Sequence, residues 1–180
     1  MNMSIKAIAV FCGSKLGSNP IFEEQTRALG KLLAEKNIKI IYGGGNKGLM
    51  GAVANGALDN AGSVIGIIPT LLKEQEHLHE TLTETHVVDT MHDRKKMLYE
   101  KCDAAIILPG GYGTLDEVFE MLTWNQLKIL SKKIFFLNSA GFYDHLIAHI
   151  ACMHDEGFLY NNPLEQMTVI NDPELLKNYI

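Results

Sequence analysis

Short apolar runs rich in β-branched residues alternate with longer segments of helical period along the whole chain, and this alternation restricts the fold more than any other feature. IKAIAVF (5–11), IKIIY (38–42), SVIGIIP (63–69), HVV (86–88), AAIIL (104–108), IFFLN (134–138) and TVI (168–170) read as strands. Between them, helices are expected over 20–36, from near Gly48 and ending by Gly62, over 90–101, from just after Gly113, over 142–156 and from Pro173. Strands alternating with helices are the signature of βαβ units, so the expected class is α/β, a Rossmann-like three-layer fold with a mostly parallel sheet flanked by helices. The stretch 70–85 is charged, rich in His and Glu, and lacks either period; it reads as an active-site loop or a short helix. No linker, repeat or low-complexity tract interrupts the 180 residues, which are expected to form one domain over 1–180.

Composition narrows the function classes. The net charge is −5 and no dense Lys/Arg run occurs, which argues against a nucleic-acid groove, because neutralising a phosphate backbone takes several clustered cations. A small anion needs only one or two. The N-terminal apolar run is too short for a signal peptide or a membrane span, so no membrane partner is expected. Cys12, Cys102 and Cys152 are odd in number, far apart and without metal-type spacing, which points to a reducing cytoplasm. His145 and His149 stand four apart with no Glu between them, and His77 and His79 form only a weak pair, so neither a metal nor a cofactor is expected.

In an open parallel sheet, ligands sit beyond the carboxyl ends of the strands. Three features fall there: Cys12-Gly13-Ser14, Tyr42-Gly43-Gly44-Gly45, and Pro109-Gly110-Gly111-Tyr112-Gly113-Thr114. PGGYGT follows a strand and opens a helix, so its glycines let backbone N–H groups approach an anion at the positive helix end. Alternatively they serve only the geometry of a tight turn. Neither glycine run is a dinucleotide fingerprint or a Walker loop: CGSKLGSNP lacks G-x-G-x-x-G, and GGGNKGLMG lacks the G-K-[ST] ending.

Thr114-Leu115-Asp116-Glu117 fits the capping box T-x-x-E, in which Glu117 would serve the helix start. A phosphate bound at the same N–H groups would instead leave that carboxylate facing the ligand, able to activate water or stabilise a cationic transition state. Thr90 is a candidate N-cap with Asp93 at the third helical position, and Met91, Leu98 and Cys102 are expected on the buried stripe. Asp93-Arg94-Lys95-Lys96 reads either as a solvated helix face or as a guanidinium matched to phosphate or ribose oxygens. Ser14 would be a nucleophile only with a base beside it, and Trp124 is read as packing or a subunit contact.

VFCGS, YGGGNKGLMG, MHDRKK, PGGYGTLDEVFE and TWNQL occur in one order over nearly the whole chain. Together they resemble the LONELY GUY family of cytokinin-activating phosphoribohydrolases, whose older label is "possible lysine decarboxylase". The resemblance implies hydrolysis of a nucleoside 5′-monophosphate, an N6-prenylated AMP or AMP itself, to free base and ribose 5-phosphate. It assigns the catalytic pair to Arg94 and Glu117. It puts substrate and phosphate contacts on Lys95, on Gly110, Gly111, Tyr112, Gly113, Thr114, Leu115 and Asp116, on Thr123 and on Glu76. Ser14, Gly43, Gly44 and Gly45 join these through their place at strand ends. The chain departs from the family in the loop holding Glu76, which reads LLKEQEHLHETLTE in place of the Met-Pro and Gly-x-T-V-G-E text.

In the family, helices like the one after Thr114 form a homodimer interface. Met121, Trp124, Leu127 and Ile129 are apolar on more than one side of that helix, and a two-fold dimer is expected. The decarboxylase label lacks support, since no segment supplies a pyridoxal phosphate framework. A non-catalytic carrier of a nucleotide or of molybdenum cofactor is the alternative. The pair Arg94 and Glu117 separates the two readings, because a carrier needs the phosphate loops but no carboxylate at the sugar.

Overall fold

A computed structural model describes residues 5–73 and 77–180. In chain order the elements are β1 (Ala7–Phe11), α1 (Pro20–Glu35), β2 (Lys39–Tyr42), α2 (Gly48–Leu58), β3 (Val64–Pro69), β4 (Glu84–Val88), α3 (Met91–Lys101), β5 (Ala104–Ile107), α4 (Tyr112–Gln126), β6 (Lys133–Leu137), α5 (Asp144–Asp155) and β7 (Met167–Ile170). The seven strands form one all-parallel sheet in the order β4-β3-β2-β1-β5-β6-β7.

Strand residues point alternately to the two faces, and both faces are covered, which is why the strands read as continuous apolar runs. Ile8 and Val10 of β1 join Ile40, Val64 and Ile106 against Leu29, Leu32 and Leu33 of α1 and Val53, Ala54 and Ala57 of α2. Ala7, Ala9 and Phe11 turn the other way, with Ile41, Ile107 and Phe136, against Leu98 of α3, Val118 and Met121 of α4 and Ile150 of α5. No helix among the described residues is long and apolar enough to cross a membrane.

Most elements fall within a few residues of their expected bounds, with three corrections. Helix α4 starts at Tyr112, not after Gly113. Helix α2 runs from Gly48 to Leu58, ending before Gly62 as expected: Ala61 turns to a positive φ of 57° and the Gly62 N–H folds back onto the Ala57 carbonyl. The expected C-terminal helix is 3₁₀ turns over Pro173–Asn178. Met91 lies at the exposed start of α3, off the buried stripe that Leu98 and Cys102 do share. In the irregular stretch 70–85, a 3₁₀ turn covers Thr70–Leu72, and Leu78 forms an isolated antiparallel bridge with Gly45.

Strand order fixes where a ligand would lie. From β1 the chain builds outward through β2, β3 and β4, then crosses to β5 on the other side of β1. The loops leaving β1 and β5 therefore part in opposite directions and open a crevice between them.

Candidate active site

The loops at this crevice are tied to each other by backbone. The Gly13 N–H donates to the Pro109 carbonyl at 3.0 Å, and the Leu108 N–H donates to the Phe11 carbonyl at 2.9 Å. Helix α2 is docked onto the first loop by a 3.1 Å bond from the Leu49 N–H to the Gly13 carbonyl. Gly48, at φ +58°, lies so close to the backbone of Ser14 and Lys15 that no Cβ fits. Ser14 is exposed at the rim.

Helix α4 opens with Gly111 as N-cap and no side-chain cap bond; its first intrahelical bond runs from the Leu115 N–H to the Gly111 carbonyl at 3.1 Å. The N–H groups of Tyr112, Gly113 and Thr114 precede that bond and point out of the helix end. Thr114 is thus the third helical residue, not the cap, so Thr114 and Glu117 do not occupy the N-cap and N3 positions of a capping box. Its side chain is buried over the Cα of Gly110, where a Cβ on Gly110 would collide with it. Among the described residues, Cβ positions on Gly111 and Gly113 meet nothing within 4 Å, and Tyr112 is 95% exposed, so the helix start opens to solvent. Bare N–H groups and the positive dipole end favour an anion there.

Helix α3 faces this start from the neighbouring layer position. Thr90 caps it as expected: its Oγ1 accepts from the Asp93 N–H at 3.1 Å and donates to Asp93 Oδ2 at 2.6 Å. The following cations diverge. Arg94 is only 5% exposed, and its Nη2 donates to the Gly43 carbonyl at 3.2 Å, which overturns a solvated face for this residue. Lys95 reaches across to α4, and Lys96 stays in solvent beside Glu100. A Cβ on Gly43 would fall on the Arg94 guanidinium, so the glycine is what lets the side chain lie against the second loop.

That loop is braced by residues 77–79. The His79 N–H donates to the Gly44 carbonyl at 2.9 Å, the Asn46 N–H donates to the His77 carbonyl at 2.8 Å, and Gly44 holds φ +81°. Burial lowers the pKa of His79, favouring its neutral form. Its Nε2 lies 3.1 Å from Asn55 Oδ1 and its Nδ1 3.4 Å from the Thr81 N–H, so the tautomer that satisfies both carries its proton on Nε2. His79 therefore anchors the loop to α2. Glu76 lies outside the described residues.

Glu117 is half-buried, one turn into α4. Beside it, Lys95 Nζ lies 3.2 Å from Asp116 Oδ2 and 3.0 Å from Glu120 Oε2. Burial works against the charged form of Lys95, but hydrogen bonds to Glu120 and Asp116 outweigh it and raise the pKa. Thr123 sits nine residues beyond Thr114, roughly 14 Å along the helix axis, and its hydroxyl donates to the Phe119 carbonyl at 2.7 Å. A surface hollow of about 470 Å³ along α4 is lined by Tyr112, Leu115, Asp116, Phe119, Glu120 and Thr123. A larger one, about 910 Å³, includes Ile5, Asp103 and Lys133 at the amino ends of the strands and holds none of the expected site residues that the structure describes.

Three residues absent from the sequence-based set support these loops. Glu120 and Tyr99 bridge α3 and α4, and the Tyr143 hydroxyl donates to the Leu108 carbonyl at 2.6 Å, just before PGGYGT. For Glu120 a signal existed: 116, 117 and 120 place three carboxylates within about one turn. Among the described residues no cluster of three or more His, Cys, Asp or Glu could hold a metal ion.

A family model described as "Possible lysine decarboxylase" matches residues 50–180. Cytokinin riboside 5′-monophosphate phosphoribohydrolase LOG7 of Arabidopsis thaliana is 41% identical over 168 residues, which are 93% of this chain and 76% of that protein. The chain belongs to the LONELY GUY family. A LONELY GUY relative in Rhodococcoides fascians, also named cytokinin riboside 5′-monophosphate phosphoribohydrolase, is 39% identical over 170 residues, 94% of this chain and 86% of its own. Among solved structures, the molybdenum cofactor binding protein of Rippkaea orientalis matches with a TM-score of 0.72 over 98% of both chains at 23% identity. At that identity the likeness is one of fold, and it places this LONELY GUY chain in the Rossmann-like class expected from its sequence.

Proposed function

We propose that this LONELY GUY protein hydrolyses the N-glycosidic bond of a nucleoside 5′-monophosphate, a cytokinin riboside 5′-monophosphate or AMP, releasing free base and ribose 5-phosphate. The observation that carries the reading is the open start of α4 at the switch point, one turn ahead of a half-buried glutamate. The 5′-phosphate accepts from the N–H groups of Tyr112, Gly113 and Thr114. Arg94 orients the phosphate or the ribose. As the C1′–N bond breaks, the base leaves with the electron pair and takes up a proton, and positive charge grows on the ribosyl ring. Glu117 stabilises that charge and accepts a proton from the water whose oxygen bonds to C1′.

Ser14, Gly43, Gly44 and Gly45 shape the crevice in this reading, with Lys95, Leu115, Asp116 and Thr123 along its α4 side. The chain acts as one domain over 1–180, and its three cysteines, none of them in a disulfide, suit the cytoplasm. Incubation with a panel of nucleoside monophosphates differing at N6 of adenine tests the reading and selects the base. Ribose 5-phosphate is expected from AMP or its prenylated form; release from neither would favour the carrier.

A two-fold dimer belongs to the same reading. Met121, one of the residues expected at the interface, faces the sheet, and Trp124 packs edge-on against Tyr99 with ring centroids 5.3 Å apart. The outward apolar surface comes from Leu127 and Ile129, which were also expected there, joined by Phe119, all exposed on α4 and the turn after it. Burying this strip against its two-fold copy gives one self-complementary patch. Light scattering at micromolar concentration should return about twice the 20.0 kDa chain mass, and Ile129→Glu should shift it towards the monomer. A monomeric wild type would contradict the dimer.

A further inference from the structure

We infer that Glu120 is a positioning residue for the reaction, setting the separation of α3 and α4 and hence of Arg94 and Glu117; the inference rests on the catalytic reading of that pair. One oxygen of Glu120, Oε2, accepts from two donors on α3: the Lys95 ammonium at 3.0 Å and the Tyr99 hydroxyl at 2.8 Å. Lys95 directly follows Arg94, and Glu120 lies one turn beyond Glu117 on α4. The same hydroxyl also lies 3.1 Å from the backbone carbonyl of Glu117, so Tyr99 contacts α4 at both residues.

Relative burial decides which ion pair holds the geometry. The Asp116 side chain is 59% exposed, and an exposed pair fixes little. Glu120 and Lys95 are 22% and 16% exposed, where a charge-assisted bond is less screened by water. Tyr99 itself is closely packed. Its ring is fully buried between Phe11, at the end of β1, and Trp124. Burial and the Glu120 carboxylate raise the phenol's pKa, so it keeps the proton it donates. Glu120 thus couples α4 to a ring already fixed against the central strand. Misplacement of a reacting group by about 1 Å costs roughly a hundredfold in rate, so loosening this link should appear in turnover.

The test compares Glu120→Gln, Tyr99→Phe and their double variant in the full chain with AMP, alongside Glu117→Gln and, as a solvent-side comparison, Glu100→Gln. Expected for Glu120→Gln is a fall in kcat of about tenfold or more with KM within about threefold, in protein whose Trp124 fluorescence shows it folded at the assay temperature. Tyr99→Phe should fall in the same direction. The double variant should lose less than the product of the single losses, because both act through one oxygen. Glu100→Gln should match wild type. If Glu120→Gln does not fold, Tyr99→Phe decides by the same split of kcat from KM. Wild-type kcat in both single variants, or a loss confined to KM or to the melting temperature, overturns the inference while an inactive Glu117→Gln leaves the catalytic reading standing. An active Glu117→Gln overturns that reading itself.

Discussion

Glu117→Gln should lower kcat by about a thousandfold or more while changing folding stability by less than about 1 kcal/mol. The amide matches the carboxylate in size and much of its hydrogen-bonding capacity, but carries no charge to set against a cationic ribosyl ring and is a poor proton acceptor. Loss of both functions acts on the transition state more than on bound substrate, so kcat and kcat/KM should fall together. The stability expectation comes from the helix start. If Glu117 closed a capping box, its loss would cost about 1 kcal/mol, but the N-cap is Gly111, three residues ahead of Thr114, which puts Glu117 beyond the N3 position of a capping box. Steady-state kinetics with a thermal melt of the same preparation separates the outcomes. A destabilised variant with intact turnover would return Glu117 to a structural role.

The misreading of this helix start shows how far sequence reasoning reaches. T-x-x-E is a complete local rule, yet the helix begins three residues earlier, with Gly111 as its N-cap. The bond between the Gly13 N–H and the Pro109 carbonyl fixes the loop's departure, and glycines at 111 and 113 add no side chain to that turn. Nothing local to 109–117 encodes that contact with residue 13. Arg94 was ambiguous for a similar reason. Within Asp93-Arg94-Lys95-Lys96 the three cations look alike, and only the placement of Gly43 against α3 separates the buried guanidinium from the solvated Lys96.

By contrast, the strands, the α/β class and the glycine-rich strand ends were legible, because a sheet covered on both faces imposes apolar runs that any window of sequence reveals. Strand order was not legible. The position of β1 between β2 and β5 results from packing over the whole chain, and it alone brings PGGYGT beside Cys12-Gly13-Ser14.

Removing the phosphate from the substrate should be as damaging as removing the Glu117 charge. Hydrogen bonds to a charged group contribute roughly 1.5–3 kcal/mol each. Two or three such bonds at the start of α4 are thus worth about 4 kcal/mol, or roughly a thousandfold. Part of that loss should fall on kcat, since binding energy at the remote phosphate is used to align the sugar with the carboxylate. Arg94→Ala should narrow the gap between nucleotide and nucleoside if the guanidinium reads phosphate, and leave it unchanged if it acts only at the ribose. The most direct measurement is kcat/KM for AMP, or whichever N6-substituted form is hydrolysed, against the matching nucleoside on one wild-type preparation, with the sugar product identified. The phosphate-anchored hydrolase predicts ribose 5-phosphate and a preference of about a thousandfold for the nucleotide; equal kcat/KM for the two would contradict it.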